Sequence, residues 1–216
     1  MKSVIILGAT GMVGREILRL AEQNPLIGSI IAPTRRPLAA HAKLINPQID
    51  YQTLPDADWW CADVLLSALG TTLHQAGSKA MFQQIDHDYV LAAATKAHNA
   101  GTGVLVNNSS LGASPDARSF YLRVKGQLEQ DLASLGFDSL THVRPSLLDV
   151  VARPQFRLME RLSLHLAHAL RALIPLRYRP VSPQRVARAM TGHYCMSKST
   201  ACMKLAIAAK MVLRFR

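Results

Sequence analysis

The sequence predicts an α/β fold, a Rossmann-type doubly wound parallel sheet forming a single domain with a small C-terminal part, on two observations. Short apolar runs bounded by turn residues alternate with segments of helical period. A glycine-rich turn, Gly8, Ala9, Thr10, Gly11, Met12, Val13 and Gly14, joins the first apolar run to the first helical segment. Taken in order, strands are expected at residues 3–7, 29–32, 64–68, 104–107 and 140–144, with a weaker one at 49–52. Helical spacing of apolar residues marks 13–23, 84–99 and 120–135, the last two ending near Gly101 and Gly136 as helix C-termini commonly do. The Pro-dense stretch 175–183 separates a basic helix from another at 183–193.

Bulk properties agree with one globular unit. The chain has 216 residues, 49% hydrophobic and 18% charged, enough apolar side chain for a sizeable core and too little charge for disorder. Residues 1–216 are expected to form one dinucleotide-binding domain, with about 150–200 as a small basic lobe. Three cysteines, odd in number and without a C-x-x-C pair, support neither a disulfide framework nor a metal site. With no signal-peptide core and no apolar run of membrane-spanning length, the expected location is cytoplasmic. The formal charge of +11 is uneven: from Val151 onward about 13 Lys and Arg face one acid, Glu160. Two readings of that third stay open, attraction to anions, including nucleic acid or a membrane surface, and a solvated amphipathic face. The segment 203–216, with Lys204, Lys210, Arg214 and Arg216 among apolar residues, carries the membrane version.

Three motifs carry chemistry. Gly8 allows the tight turn, Gly11 lets a pyrophosphate approach the backbone, and Gly14 permits close packing of helix on strand, while helix N–H groups face the phosphates. After the second strand an NAD site would place a carboxylate for the ribose 2′-hydroxyl; here Pro33, Thr34, Arg35, Arg36 and Pro37 follow instead. Two guanidinium groups suit a 2′-phosphate by charge and fork geometry, so NADP(H) is the expected cofactor, with ordinary surface arginines as the alternative. Tyr121 and Lys125 lie four apart on a predicted helix, where the cation favours the phenolate and readies the phenol for proton transfer. Ser109 and Ser110 lie just upstream, at the end of a predicted strand. His165 and His168 lack a third ligand at metal spacing, so no metal is expected. His74 reads as an exposed loop histidine, and Trp59 with Trp60 as an anchor to the sheet.

Together with Ala68 through Thr72, Ala76 and Gly77, residues 86–89 and 109–113, residues 121–126 with Glu129, and residues 144–148, these motifs make the chain resemble the atypical short-chain dehydrogenase/reductase family. The resemblance is to the group containing the HIV Tat-interacting protein and small bacterial NAD(P)-binding relatives, and it covers most of the chain. It implies that Thr10, Gly11, Met12 and Val13 hold pyrophosphate and that Arg35 and Arg36 hold the adenosine phosphate. Leu69 and Gly70 would take the adenosine-ribose side and Tyr121 with Lys125 the nicotinamide ribose, while Leu148 would line the nicotinamide pocket. An arginine contact follows in similar proteins; here Arg153 and Arg157 are spaced one residue wider, and Arg157 is the candidate. Family spacing favours Ser109 for the substrate carbonyl, whereas more distant extended dehydrogenases favour the second serine. The expected activity is NADPH-dependent reduction of a carbonyl or conjugated small molecule, with Tyr121 as proton donor. The alternative is a catalytically silent NADP(H)-binding regulatory or assembly protein.

Overall fold

Among the described residues, six parallel strands form one sheet in the order β3-β2-β1-β4-β5-β6. The computed structural model describes residues 1–146 and 180–196, the last four as backbone only. The strands are β1 (Lys2–Leu7), β2 (Ile27–Ile31), β3 (Leu44–Ile45), β4 (Val64–Ser67), β5 (Val104–Asn108) and β6 (Ser139–Val143). The helices are α1 (Met12–Gln23), α2 (Leu73–Ala76), α3 (Lys79–Gln83), α4 (Tyr89–Asn99), α5 (Phe120–Ser134) and α6 (Pro183–Met196). A π-helical turn, Gln84–Asp88, joins α3 to α4.

Parallel strands covered on both faces need side chains buried on both faces, and β1 meets that demand with Val4, Ile5, Ile6 and Leu7, none of them exposed. Val4 and Ile6 join one core with Ile17 and Ala21 of α1 and Val186, Ala187 and Met190 of α6. Ile5 and Leu7 join the other, with Val90, Ala93, Ala94 and Ala97 of α4 and Leu128 and Leu132 of α5. Trp60 lies buried in this second core with Trp59 packed against it, as the sequence led us to expect, and its indole N–H donates to the Pro55 carbonyl at 3.0 Å. Helix α6 confirms a helix near 183–193; the remainder of the expected basic lobe, with His165, His168 and the segment 203–216, lies outside the described residues.

The weak strand expected at 49–52 is corrected. The third strand is Leu44–Ile45, and Ile49 and Tyr51 are buried in a turn with isolated bridges only. A two-residue strand shows no period. It is selected by its register on β2, Ile30 opposite Leu44 and Ile31 opposite Ile45, which local sequence does not contain.

Glycine contacts close the architecture at the first turn. Gly8 has φ +77, and a Cβ there would lie 2.6 Å from the Ala68 carbonyl oxygen. A Cβ on Gly14 would lie 2.0 Å from the Gly8 carbonyl oxygen, so α1 rests directly on the turn. Alanine at position 14 should therefore destabilise the protein by about 2 kcal/mol, roughly 4–8 °C in Tm, although alanine is the better helix former. Thermal unfolding of Gly14→Ala checks this; an unchanged or raised Tm would show that the contact relaxes freely.

Candidate functional site

In an open parallel sheet the segments that follow the strands gather along one edge, and a crevice opens where the strand order reverses, here between β1 and β4. The glycine turn follows β1 and residues 68–72 follow β4. Thr34 to Arg36 lie beyond β2, Ser109 and Ser110 beyond β5, and Arg144 beyond β6. All predicted site residues among the described ones fall along this edge or on α5 above it. Leu148 and Arg157 lie outside the described residues.

Helix α1 begins at this edge without a side-chain cap and with no acid in its first turn, its N-cap being Gly11. Thr10, Gly11 and Met12 are exposed, while Val13 is buried. A Cβ on Gly11 would meet only the Gly8 carbonyl oxygen, at 3.2 Å, so the space over the turn is open. Uncapped first-turn N–H groups with an open approach fit a pyrophosphate.

The arginine turn is held from beneath. Asn46 donates to the Ala32 carbonyl at 2.6 Å and to Thr34 Oγ1 at 2.8 Å, and its Oδ1 accepts from the Leu38 N–H at 2.8 Å. Thr34 Oγ1 donates to the Arg36 carbonyl at 2.6 Å. Tyr51 adds a brace that the sequence reading missed: its hydroxyl donates to the Pro33 carbonyl at 3.1 Å, and its ring stacks on Tyr89 at 5.6 Å. Burial pushes the Tyr51 hydroxyl up to about 12 against the opposing pull of Arg35 and a Gly8 N–H bond, so it acts as a neutral donor. Arg35 and Arg36 themselves are exposed, on a turn whose backbone is fixed.

Helix α5 presents polar groups at intervals of four, Tyr121, Lys125 and Glu129, along its inner side. The half-buried Tyr121 ring packs against Phe82 at 5.6 Å. Lys125 Nζ lies 2.8 Å from Asp86 Oδ1, with the two side chains 5% and 1% exposed. Asp86 Oδ2 also accepts from the Thr71 N–H at 2.6 Å, tying the segment after β4 to α5. Glu129 takes a two-pronged pair from Arg144, Nε donating to Oε1 at 2.9 Å and Nη2 to Oε2. Ser109, buried, sets its hydroxyl beside the Glu129 carboxylate without full hydrogen-bond geometry. Burial opposes the Glu129 charge, but Arg144, Ser109 and His142 outweigh it and hold the carboxyl below its ordinary range. Burial pushes His142 down, with Arg144 adding to the effect and Glu129 opposing it. Gly126 lets a loop pack on the helix: a Cβ there would lie 2.1 Å from the Ser114 carbonyl carbon, so the 114–115 loop crosses directly over α5.

Structure thus brings together the turn, the arginine pair, Leu69, Gly70, both serines, Tyr121 and Lys125. The roles of Asp86 and Glu129 went unread although both residues stood in the quoted motifs; the available signal was an acid at an inward position of each helix. His74 is exposed on α2, as expected. A groove of about 870 Å³ between the Asp58–Trp60 turn and α4 is lined by none of the predicted site residues.

Comparison with known proteins follows the same lines. No family model matches the chain. "Protein FMP52, mitochondrial" of Candida albicans is 38% identical over 157 residues, spanning 68% of this chain and 67% of the relative. The protein of the same name from Emericella nidulans is 35% identical over the same shares. Among solved structures, MoeE5 in complex with UDP-glucuronic acid and NAD has a TM-score of 0.63 at 17% identity, covering 88% of this chain and 71% of that one. The oxidoreductase ylbE from Lactococcus lactis has a TM-score of 0.63 at 14% identity, covering 89% and 84%. These structures share the Rossmann-like fold. The cytoplasmic expectation is overturned, because the relatives from Candida, Emericella, Aspergillus and Eremothecium carry "mitochondrial" in their names.

The Glu129 network generates a pH prediction. Its carboxyl is held below the ordinary value of about 4.3, so the unfolded chain binds more protons between the two values. Its contribution is complete above the ordinary value and is lost as pH falls through the folded one. Glu129→Gln should cost about 1.5–3 kcal/mol at pH 7, and the gap to wild type should narrow as pH falls below about 5. Urea unfolding of both proteins from pH 7 to 3 measures it; a constant gap would mean that the charge of Glu129 adds nothing.

Proposed function

The chain belongs to the FMP52 family, and on that premise we propose that it is a mitochondrial, NADP(H)-dependent reductase of the atypical short-chain dehydrogenase/reductase type, akin to the group of the HIV Tat-interacting protein. One observation carries the reading: the uncapped start of α1, the braced Arg35–Arg36 turn and the Tyr121–Lys125 stripe meet at one edge of the sheet, on either side of its switch point. The substrate class is a small molecule with a carbonyl or conjugated double bond.

In this reading the first-turn N–H groups of α1 hold the pyrophosphate, with Gly8, Gly11 and Gly14 giving the close approach. Arg35 and Arg36 take the 2′-phosphate, Leu69 and Gly70 the adenosine-ribose side, and Lys125 the nicotinamide ribose. Bound NADPH supplies the hydride. Tyr121 donates the proton to the substrate oxygen. Ser110 orients that oxygen, because Ser110 is half-buried beyond β5 whereas the Ser109 hydroxyl is enclosed beside Glu129. Ser67 Oγ and Asn108 Oδ1, buried at the ends of β4 and β5 without a partner among the described residues, add polar capacity to the same edge.

Two outcomes are expected. NADPH should bind about 10- to 150-fold tighter than NADH, since one charge-assisted hydrogen bond is worth about 1.5–3 kcal/mol; the exposed position and salt screening favour the low end. Calorimetric titration of both cofactors into wild type and the Arg35→Ala, Arg36→Ala double variant decides it; equal binding of NADH and NADPH by wild type, or full preference in the variant, ends the NADP(H) assignment. In stopped-flow NADPH oxidation over a carbonyl panel, Tyr121→Phe should lose at least about 100-fold in turnover. Equal turnover would remove Tyr121 as donor, and tight NADPH binding with no turnover on any substrate would favour the silent regulatory reading.

A further inference from the structure

We propose that Asp86 is a positioning residue that places the Lys125 ammonium and couples it to the segment after β4, so that the two ends of the dinucleotide site are set by one carboxylate. The inference rests on the reading of this edge as an NADP(H) site. The helical run from α3 through α4 has an inner stripe of Phe82, Asp86 and Val90 at intervals of four, with Phe82 and Val90 fully buried. An acid in the middle of an apolar stripe is costly, and a well-packed hydrophobic pair in place of such an ion pair is often no less stable. Its presence therefore calls for a reason other than stability. It sits on the π-helical turn, a distortion that recurs at functional sites.

The contacts supply the reason. One Asp86 oxygen meets Lys125 Nζ at 2.8 Å and the other accepts from the Thr71 N–H at 2.6 Å. Gly70 lies directly over the pair: a Cβ there would come within 3.0 Å of Asp86 Oδ1 and 3.5 Å of Lys125 Nζ. The backbone that faces the adenosine-ribose side thus rests on the charge pair that holds the ribose lysine. Neighbouring titratable residues make other contacts. On α5, Tyr121 packs on Phe82 and Glu129 pairs with Arg144; beside Asp86, His87 turns to Asp88 and Asp131, each at 2.8 Å. Burial pushes the Asp86 carboxyl up while Lys125 and the Thr71 N–H pull it down, with burial the larger effect, so its charge leans on that of Lys125. An ammonium buried without its counter-charge releases its proton at lower pH.

The test is NADPH affinity against pH, by calorimetry, for wild type, Asp86→Asn and the double variant Asp86→Leu, Lys125→Met. Asp86→Asn should bind within a few-fold of wild type at pH 6 and at least tenfold more weakly at pH 9, as Lys125 loses its charge. The double variant should bind about tenfold more weakly at both pH values, without the extra slope. A constant ratio of Asp86→Asn to wild type across this range overturns the positioning role while leaving the cofactor reading intact. Should Asp86→Asn fail to fold, wild-type affinity in the double variant overturns it instead. Failure of wild type to bind NADPH or NADH removes the cofactor reading and the inference together.

Discussion

At Gly8 three pieces of backbone occupy space that a single side chain would fill. The turn after β1, the segment after β4 and, through Gly14, the start of α1 meet within 2.0–2.7 Å of where Cβ atoms would stand. This contact sits where the strand order reverses, so it fixes the angle at which α1 leaves the sheet and the distance between the two halves of the edge. The exposed residues Thr10, Gly11 and Met12 stand at the start of α1, while Gly14 lies flat on the turn and the Gly11 N–H closes that turn on the Gly8 carbonyl at 2.9 Å. Any residue with a Cβ would lift the helix and separate its first turn from Leu69 and Gly70.

A second layer depends on that placement. Helix α5 turns Lys125 and Glu129 toward the sheet, and each meets its partner from a different element, Asp86 from the π-helical turn and Arg144 from the end of β6. The Asp86–Lys125 pair is buried and contributes little net stability, since desolvation offsets most of the attraction; in the other pair Glu129 is buried and Arg144 about half exposed. Both pairs order polar groups along one edge, which an apolar interface of the same shape would not do. Departures from the apolar pattern that gather where function is expected are the usual mark of a site built at some cost in stability. On this protein they gather on the inner face of α5 and the helix beside it.

Most of the sheet was legible because strands buried on both faces appear as unbroken apolar runs, and Val4 to Leu7 or Val64 to Leu66 leave no other reading. Strand β3 was not, because two residues carry no period and their place is chosen by pairing with β2. Ile49 and Tyr51 looked like strand residues for a sound reason: they are buried. Their burial comes from filling the space under the arginine turn, where the Tyr51 hydroxyl holds Pro33. The compartment was misread for a different physical reason, since a targeting address is read by receptors and is not implied by composition or core size.

What the sequence determined by itself was local chemistry: glycines where the backbone must approach closely, two guanidinium groups where an NAD site has a carboxylate, and a phenol and an ammonium one helical turn apart. Those follow from residue type and spacing, which short-range geometry converts directly into structure. What only the tertiary structure decided was which of these groups have partners. Lys125 meets Asp86, and the Ser109 hydroxyl lies beside Glu129, because elements far apart in the chain are pressed together by two apolar cores. Which polar groups are left open to a ligand follows from that packing, since burial makes each charge depend on the partner it is given.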